Sequence, residues 1–301
     1  MNGLSDEKQT SSGPTCICFK RDGNDSIYLA SKVPYHPVVR ELTESELRVW
    51  IDVAARTAQT LREAFVAEDI YVANVATSFV PFSHLTKAFQ VHEAVLVLCR
   101  SGFGAEAFAL SRIMLEMYIT VRWITNQDQN KRAEDFAFFV AKRKEYAAQI
   151  FAKYRPGSAV ATDAVKFVER MYKDYADRYD SFKFWSNKPN NLRALAEEKE
   201  VLIPGLVPPN DDGIMLYELP YSMASDYVHV TAVALDGVFP RTGVPYSASG
   251  GKEPRRVLDA VFEATQWLFY IAVRVDTYRQ LGLQDRIDAA YKEFAKLVDE
   301  L

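Results

Sequence analysis

Apolar residues recur at intervals of three and four along most of this chain, between short stretches rich in proline, glycine and asparagine. This spacing follows the 3.6-residue period of an α-helix, so the pattern predicts an all-α protein. We expect a multi-helix bundle of about eight helices around a central buried helix. Residues 41–301 are predicted to form a single helical domain. Residues 1–40 are predicted to form a flexible tail followed by a small β-ribbon or extended segment.

Local signals mark the ends of the first helices. Thr43, followed three residues later by Glu46, forms a capping box that predicts a helix reaching about residue 68. Gly102 predicts the end of a second helix that begins near Phe82. The next helix, over residues 102–126, follows at once, so we expect the two to pack as an antiparallel hairpin.

The later helices are predicted in the same way. A fourth helix is expected over about residues 130–153, because Pro156 and Gly157 follow it. Further helices are predicted over about residues 162–179 and 192–199. Pro220 is expected at the first position of a helix that continues to about residue 235. Two helices, over about residues 255–281 and 284–301, close the chain.

The helix over residues 102–126 is predicted to be central because apolar side chains cover two of its sides. Arg112 and Glu116 stand one turn apart within one of these apolar stripes. An exposed pair at this spacing contributes only about 0.2–0.5 kcal/mol, and arginine before glutamate is the weaker order. A buried pair must instead offset a desolvation cost of several kcal/mol per ion. We therefore expect the pair to be sealed in the core and to have polar partners from another helix.

The helix that begins at Pro220 is the candidate source of those partners. A polar sector of this helix contains Ser222, Ser225, Asp226, His229 and Asp236, and Ala224 and Tyr227 lie in the opposite, more apolar sector. We expect the polar sector to face Arg112 and Glu116, with a solvent-facing sector as the alternative. A hydrogen bond from Ser225 to His229 would then fix the imidazole tautomer for acid–base chemistry.

Composition and charge limit the classes of function. A net charge of −4 and an isoelectric point near 5.7 argue against a broad nucleic-acid interface. Three cysteines form no disulfide framework, and the sequence contains neither a charge-free apolar stretch of membrane length nor a signal peptide, so we expect a cytoplasmic protein that does not bind membranes. The basic clusters at residues 142–144 and 255–256 are typical of solvated helix faces. A homo-oligomer is left open.

Two motifs carry a resemblance to a known family. The residues Arg112-Ile-Met-Leu-Glu116 read R-x-x-L-E, and about a hundred residues later the chain reads Tyr217-x3-Tyr221-x3-Ser225-x3-His229. Together with Trp185, they resemble a large, mostly prokaryotic family of all-helical domains of unknown function. The resemblance spans about residues 47–235 and implies no activity. It implies that Arg112, Glu116, Ser225 and His229 are the family's characteristic polar positions.

These observations leave two hypotheses open and do not decide whether the protein is an enzyme. The first is an interaction or small-ligand-binding module with a buried Arg-Glu-His network. The alternative is a hydrolase or metal-independent nuclease of a defence or toxin-like system, with His229 as acid or base, although the Arg-x4–6-His motif of helical nucleases does not occur. The candidate catalytic residues are Arg112, Glu116 and His229, and the candidate binding residues are Tyr221, Ser225 and Asp226. No nucleotide-binding, zinc-protease or nucleophile-elbow motif occurs, so we expect no cofactor and no metal.

Overall fold

The computed structural model describes residues 42–66, 75–157, 185–186, 192–198, 217–229 and 256–300, together with a few single positions between 159 and 169. The all-α prediction is confirmed over these residues. The predicted β-ribbon and most of the helix predicted over residues 162–179 lie outside the described part. Eight α-helices are found there: α1 (Glu44–Val66), α2 (Val75–Arg100), α3 (Gly104–Asn126), α4 (Gln129–Tyr154), α5 (Leu192–Ala196), α6 (Ser222–Val228), α7 (Val257–Arg279) and α8 (Gln284–Asp299).

The start of α1 has the predicted capping box. The backbone N–H of Thr43 donates to the Glu46 carboxylate over 2.7 Å, and the backbone N–H of Glu46 donates to the Thr43 hydroxyl over 3.3 Å. These reciprocal bonds satisfy backbone donors that the first turn of a helix leaves without partners. The signal read from the sequence therefore corresponds to an observed structural cap.

The turn between α2 and α3 is also as predicted. Gly102 adopts a positive φ of 83°, which costs glycine little because it has no Cβ. The N–H of Phe103 donates to the carbonyl of Leu98, and the N–H of Gly102 donates to the carbonyl of Cys99, which is the Schellman pattern. A short turn of this kind returns the chain along the preceding helix, and α2 and α3 pack against each other.

The predicted start of α2 near Phe82 was wrong. The helix begins at Val75 and carries Pro81 inside it. Proline interrupts the backbone hydrogen-bond ladder and is therefore typical of a helix boundary. Here Val80 and Pro81 are both buried, and we attribute the continuation of the helix through the proline to this packing.

The core lies between α3 and α7. The prediction that α3 is central is confirmed, because it packs against α2, α4, α5, α6 and α7. Nearly all side chains of α7 from Val257 to Asp276 are also buried, so this helix shares the central position. Tyr118 of α3 stacks on Trp267 of α7 at a centroid distance of 5.4 Å. Helix α7, which was predicted only as one of the two helices that close the chain, is therefore a central helix of the core.

The helix predicted from Pro220 differs in its start. Winding already begins at Tyr217, with a π-helical turn over Tyr217–Tyr221 that includes the proline, and α6 follows. Pro220 is therefore not at the first position. In the described residues α6 ends at Val228, and the predicted continuation to residue 235 lies outside them. Both the π-helical turn and α6 pack against α3.

Candidate functional site

Arg112 and Glu116 form an ion pair on α3, but the expectation that the pair is sealed in the core was wrong. Nε of Arg112 donates to Oε1 of Glu116 over 3.0 Å, and the two side chains are 14% and 39% exposed. The guanidinium is therefore mostly covered, whereas the carboxylate reaches the surface. Because water solvates the carboxylate, the pair does not carry the full desolvation cost of a buried ion pair.

The polar partner of Arg112 from another helix is Tyr221. Nη2 of Arg112 donates to the Tyr221 hydroxyl oxygen, and the guanidinium carbon lies 4.2 Å from the centroid of the Tyr221 ring. Tyr217 stacks on Tyr221 with a centroid distance of 4.4 Å and an interplanar angle of 19°. We call Arg112, Glu116, Tyr217 and Tyr221 the Arg112 site.

Burial raises the pKa of Tyr221, and the positive charge of Arg112 opposes this shift without cancelling it. The phenol therefore stays protonated near neutral pH. Its oxygen already accepts a hydrogen bond from Arg112, so its own O–H group is a donor. Among the described residues, no acceptor for that hydrogen is found.

The helix α6 lies on α3 through the sector that was predicted to face away. Ala224 is buried, with 2% of its surface exposed, and its small side chain allows the two helices to approach closely. Tyr221 and Tyr227, three residues to either side, contact α3 on the two flanks of this alanine: Tyr221 contacts Arg112, and the ring of Tyr227 meets the ring of Phe108 edge to face at 5.6 Å.

Among the described residues, no side chain of the polar sector of α6 bonds to the ion pair. His229 is exposed and ends the helix, with its backbone N–H bonded to the carbonyl of Ser225. Eight residues of helix place it about 12 Å along the axis from Tyr221. The hydroxyl of Ser225 donates to the carbonyl of Tyr221 over 2.7 Å. The predicted hydrogen bond from Ser225 to His229 is therefore not formed. Asp226 is half-buried and lies two residues, or about 200°, around the helix from Ala224.

The structure therefore brings Arg112, Glu116 and Tyr221 together, with Ser225 beside them. His229 is exposed at the C-terminal end of α6, and none of its described contacts reaches these residues. The helical wheel grouped the polar residues of α6 correctly, but the side that packs was decided by the volume of Ala224 and by the aromatic side chains that flank it. A buried Arg-Glu-His network is thus not formed by the described residues.

Arg256 also contacts this region, although the basic cluster at residues 255–256 was expected on a solvated helix face. It precedes α7 with a positive φ of 69°, donates to the Tyr227 hydroxyl over 3.0 Å and to the Asp259 carboxylate over 2.8 Å, and its side chain is 30% exposed. Burial lowers the pKa of Arg256, but the bonds to Asp259 and Tyr227 outweigh this, and the net shift is upward. Tyr227 of α6, like Tyr221 of the π-helical turn, thus accepts a hydrogen bond from an arginine.

A second Arg–Glu pair lies near the C-terminal end of α3. The guanidinium of Arg132 binds both oxygens of the Glu198 carboxylate, at 2.7 and 3.1 Å, and lies 3.8 Å from the ring centroid of Trp123. The amides of Asn126 and Gln127 donate to the same carboxylate over 2.9 and 3.1 Å. Both ionic side chains are at least 86% buried. We call Arg132, Glu198, Asn126 and Gln127 the Glu198 network.

Burial raises the pKa of Glu198, but the hydrogen bonds from Arg132, Asn126 and Gln127 outweigh it, so the net shift is downward and the carboxyl is ionised at neutral pH. Trp185, a residue of the family resemblance, packs edge to face on Trp123 at 4.8 Å and adds to the apolar cover of this region. A surface depression of about 470 Å³, lined by Gln127–Lys131, adjoins the network and not the Arg112 site.

Two further observations concern ligands and membranes. Among the described residues, no group of three or more histidine, cysteine, aspartate or glutamate side chains could hold a metal ion. None of the described helices combines the length and the apolar character needed to cross a membrane.

Comparisons with known proteins place the chain in a family. No curated protein and no solved structure matches it. Residues 78–242, more than half of the 301 residues, match the Family of unknown function (DUF5677). This range contains most of α2 and all of α3 to α6, and therefore Arg112, Glu116, Tyr217 and Tyr221, but not α1, α7 or α8. The chain belongs to the DUF5677 family of unknown function.

Proposed function

We propose that this protein binds a small polar ligand at the Arg112 site. The observation that carries the proposal is a guanidinium that is held in one orientation and is nevertheless accessible. Glu116 and the Tyr221 hydroxyl each accept one of its hydrogen bonds, and the Tyr221 ring lies against it. Binding to a group that is already oriented avoids the entropy cost of ordering it, which favours affinity.

The energetic contribution of the pair to folding supports a role in binding over a role in stability. Surface pairs at this spacing contribute about 0.2–0.5 kcal/mol, and the arginine-first order of Arg112 and Glu116 is the weaker one. The chain has another arginine and glutamate one turn apart, Glu44 and Arg48, with side chains 81% and 73% exposed. That pair contacts no tyrosine in the described residues and serves as a matched control.

The hydrolase or nuclease alternative requires His229 and Arg112 to act on one substrate. The exposure of His229 and its distance of about 12 Å along α6 from Tyr221 give this alternative no support. It is tested by His229→Ala in a hydrolysis assay with single-stranded RNA. Loss of an activity that wild-type protein has, with an unchanged melting temperature, would favour the alternative.

The proposed function is tested by thermal denaturation in the presence of amino acids, carboxylic acids, nucleosides and nucleotides. A ligand at a hundred times its dissociation constant stabilises by about 2.7 kcal/mol, which corresponds to roughly 5–10 °C at about 2–4 °C per kcal/mol. We expect at least one compound to raise the melting temperature of wild-type protein. The increase should disappear in Arg112→Gln and remain in Arg48→Gln. An increase that persists in Arg112→Gln would contradict the proposal, as would the lack of any increase.

A further inference from the structure

We infer that the ligand of the Arg112 site is a carboxylate of single negative charge whose carrier presents an N–H donor next to the carboxyl group. This inference rests on the proposed function, since it names the chemistry that Arg112 and Glu116 would recognise together. Two sources supply this chemistry: a free α-amino acid and the C-terminal residue of a peptide.

The first step concerns the edge of the guanidinium that is left for a ligand. Arginine has five N–H donors arranged as a planar fork. In Arg112 the edge formed by Nε and Nη2 is occupied by Glu116 and Tyr221. Nη1 binds no atom of the described residues and is not sealed from solvent. The edge formed by Nη1 and the second hydrogen of Nη2 is thus left, and two parallel N–H groups match the two oxygens of a carboxylate.

The second step concerns Glu116, which binds Nε on the occupied edge of the same guanidinium. Oε1 of Glu116 accepts from Arg112, whereas Oε2 has no partner among the described residues and is accessible to solvent. An ionised carboxylate oxygen only accepts hydrogen bonds. A ligand that places a donor at Oε2 gains a second contact, and we assign this donor to an N–H group adjacent to the ligand carboxylate.

The charge of the site selects the kind of anion. The positive charge of Arg112 is offset by the negative charge of Glu116, 3.0 Å away, so the pair adds no net charge. A phosphate monoester with nearly two negative charges would be repelled by Glu116 more strongly than a carboxylate with one. An ammonium group on the ligand is attracted to Glu116, and an amide N–H donates a hydrogen bond to its free oxygen. The pair therefore favours a carboxylate with a neighbouring N–H over a phosphate.

Four related compounds separate the parts of this inference, and each contains a phenyl ring that can contact the half-buried Tyr217. Phenylalanine has the carboxylate and an ammonium, N-acetylphenylalanine has the carboxylate and an amide N–H, hydrocinnamate has the carboxylate alone, and phenethylamine has the ammonium alone. Affinities are measured by calorimetric titration at low ionic strength, because salt screens exposed charges. The same titrations are run on Arg112→Gln and Glu116→Gln, and the melting temperature of each variant checks that it is folded.

We expect phenylalanine or N-acetylphenylalanine to bind roughly tenfold more tightly than hydrocinnamate and phenethylamine, as the loss of one charge-assisted contact implies. Arg112→Gln should abolish binding of every carboxylate. Glu116→Gln should reduce the preference over hydrocinnamate to below about threefold. Tighter binding of phenylalanine identifies an amino acid as the source, and tighter binding of N-acetylphenylalanine identifies a peptide C-terminus.

Three outcomes would overturn the inference. If hydrocinnamate binds as tightly as phenylalanine and N-acetylphenylalanine, the ligand needs no N–H group. If phenethylamine binds more tightly than both, the ligand needs no carboxylate. In the third outcome, none of the four compounds binds, but a nucleoside or nucleotide raises the melting temperature of wild-type protein and not of Arg112→Gln. The proposed function then stands, and the inferred ligand class is wrong. If no compound of any class depends on Arg112, both fail.

Discussion

The two Arg–Glu pairs along α3 have the same charged groups and opposite surroundings. In the Glu198 network, Arg132 and the amides of Asn126 and Gln127 together donate four hydrogen bonds to one carboxylate, and both ionic side chains are largely buried. In the Arg112 site, Glu116 accepts one bond from the arginine and is 39% exposed. The first carboxylate thus has four donors and is largely buried, whereas the second has one donor and reaches the surface.

This difference separates a structural pair from a candidate binding pair. The four donors hold the buried carboxylate in place, and removal of the arginine leaves an uncompensated buried charge. A carboxylate at the surface can lose its partner to water at little cost, and its free oxygen is available to a ligand. The residue types alone do not reveal which pair has which role.

The largest effect is expected from Arg132→Ala. This change leaves the ionised Glu198 carboxylate without its arginine, and breaking a buried pair in this way costs about 3–5 kcal/mol of unfolding free energy. Urea denaturation measures the loss. Arg48→Ala, in a pair that is 73% and 81% exposed, should cost less than about 1 kcal/mol. A cost below about 1 kcal/mol for Arg132→Ala would show that the Arg132–Glu198 and Arg112–Glu116 pairs do not differ as described.

Two histidines differ in the same way, because His92 is buried and His229 is exposed. The buried histidine predicts that the free energy of unfolding depends on pH. His92 is 1% exposed and its Nε2 lies 3.0 Å from the Thr265 hydroxyl, and burial lowers its pKa to about 3. The folded state thus keeps the imidazole neutral, while the unfolded chain takes up a proton below about pH 6.5. Stability is therefore full above that pH and falls by about 1.4 kcal/mol for each pH unit between about 6.5 and 3.

Urea denaturation at pH 7, 6 and 5 measures this slope, and His92→Gln should reduce it. Burial also lowers the pKa of His84, so part of the slope should remain in the variant. His229→Gln is the matched control, because it makes the same substitution at an exposed histidine. An equal slope in wild type and His92→Gln would contradict a neutral, buried His92.

The smallest effect on stability is expected from Glu116→Gln. The substitution removes the charge of a half-exposed pair, whose contribution is about 0.5 kcal/mol or less. The change in unfolding free energy should lie within about 0.5 kcal/mol, while ligand preference changes severalfold. A loss above about 2 kcal/mol would mean that the pair is needed for folding, and the role proposed for the Arg112 site would then lose its energetic argument.

Helix ends and the helical class could be predicted because their causes are local. The Thr43–Glu46 capping box, the left-handed Gly102 and the Pro156–Gly157 stop each depend on residues within a few positions of one another. Predictions that assumed a particular packing were less accurate. The start of α2 was placed too late because burial of Val80 and Pro81 overrides the local signal for a break.

The candidate site was predicted in part. Arg112, Glu116 and Tyr221 were all named from the sequence, and the structure brings them together. The role of His229 as acid or base stays a prediction without geometric support. A helical wheel shows which residues share a face of a helix, but it does not show which face packs against another helix. The contact of Arg256 with Tyr227 could not be predicted from the sequence. Two adjacent arginines are typical of a solvated surface, and the two residues in contact are 29 positions apart.

By itself the sequence determined that this chain forms amphipathic and fully apolar helices, where most of them end, and that α3 carries an ion pair in an apolar stripe. Helical period and capping are properties of neighbouring residues, so they can be read along the chain. Only the tertiary structure decided that α7 shares the core, that α6 packs through Ala224, and that the pair on α3 is open while Arg132 and Glu198 are sealed. These features depend on how side-chain volumes fit between segments that are far apart in the sequence, and local patterns contain no measure of that fit.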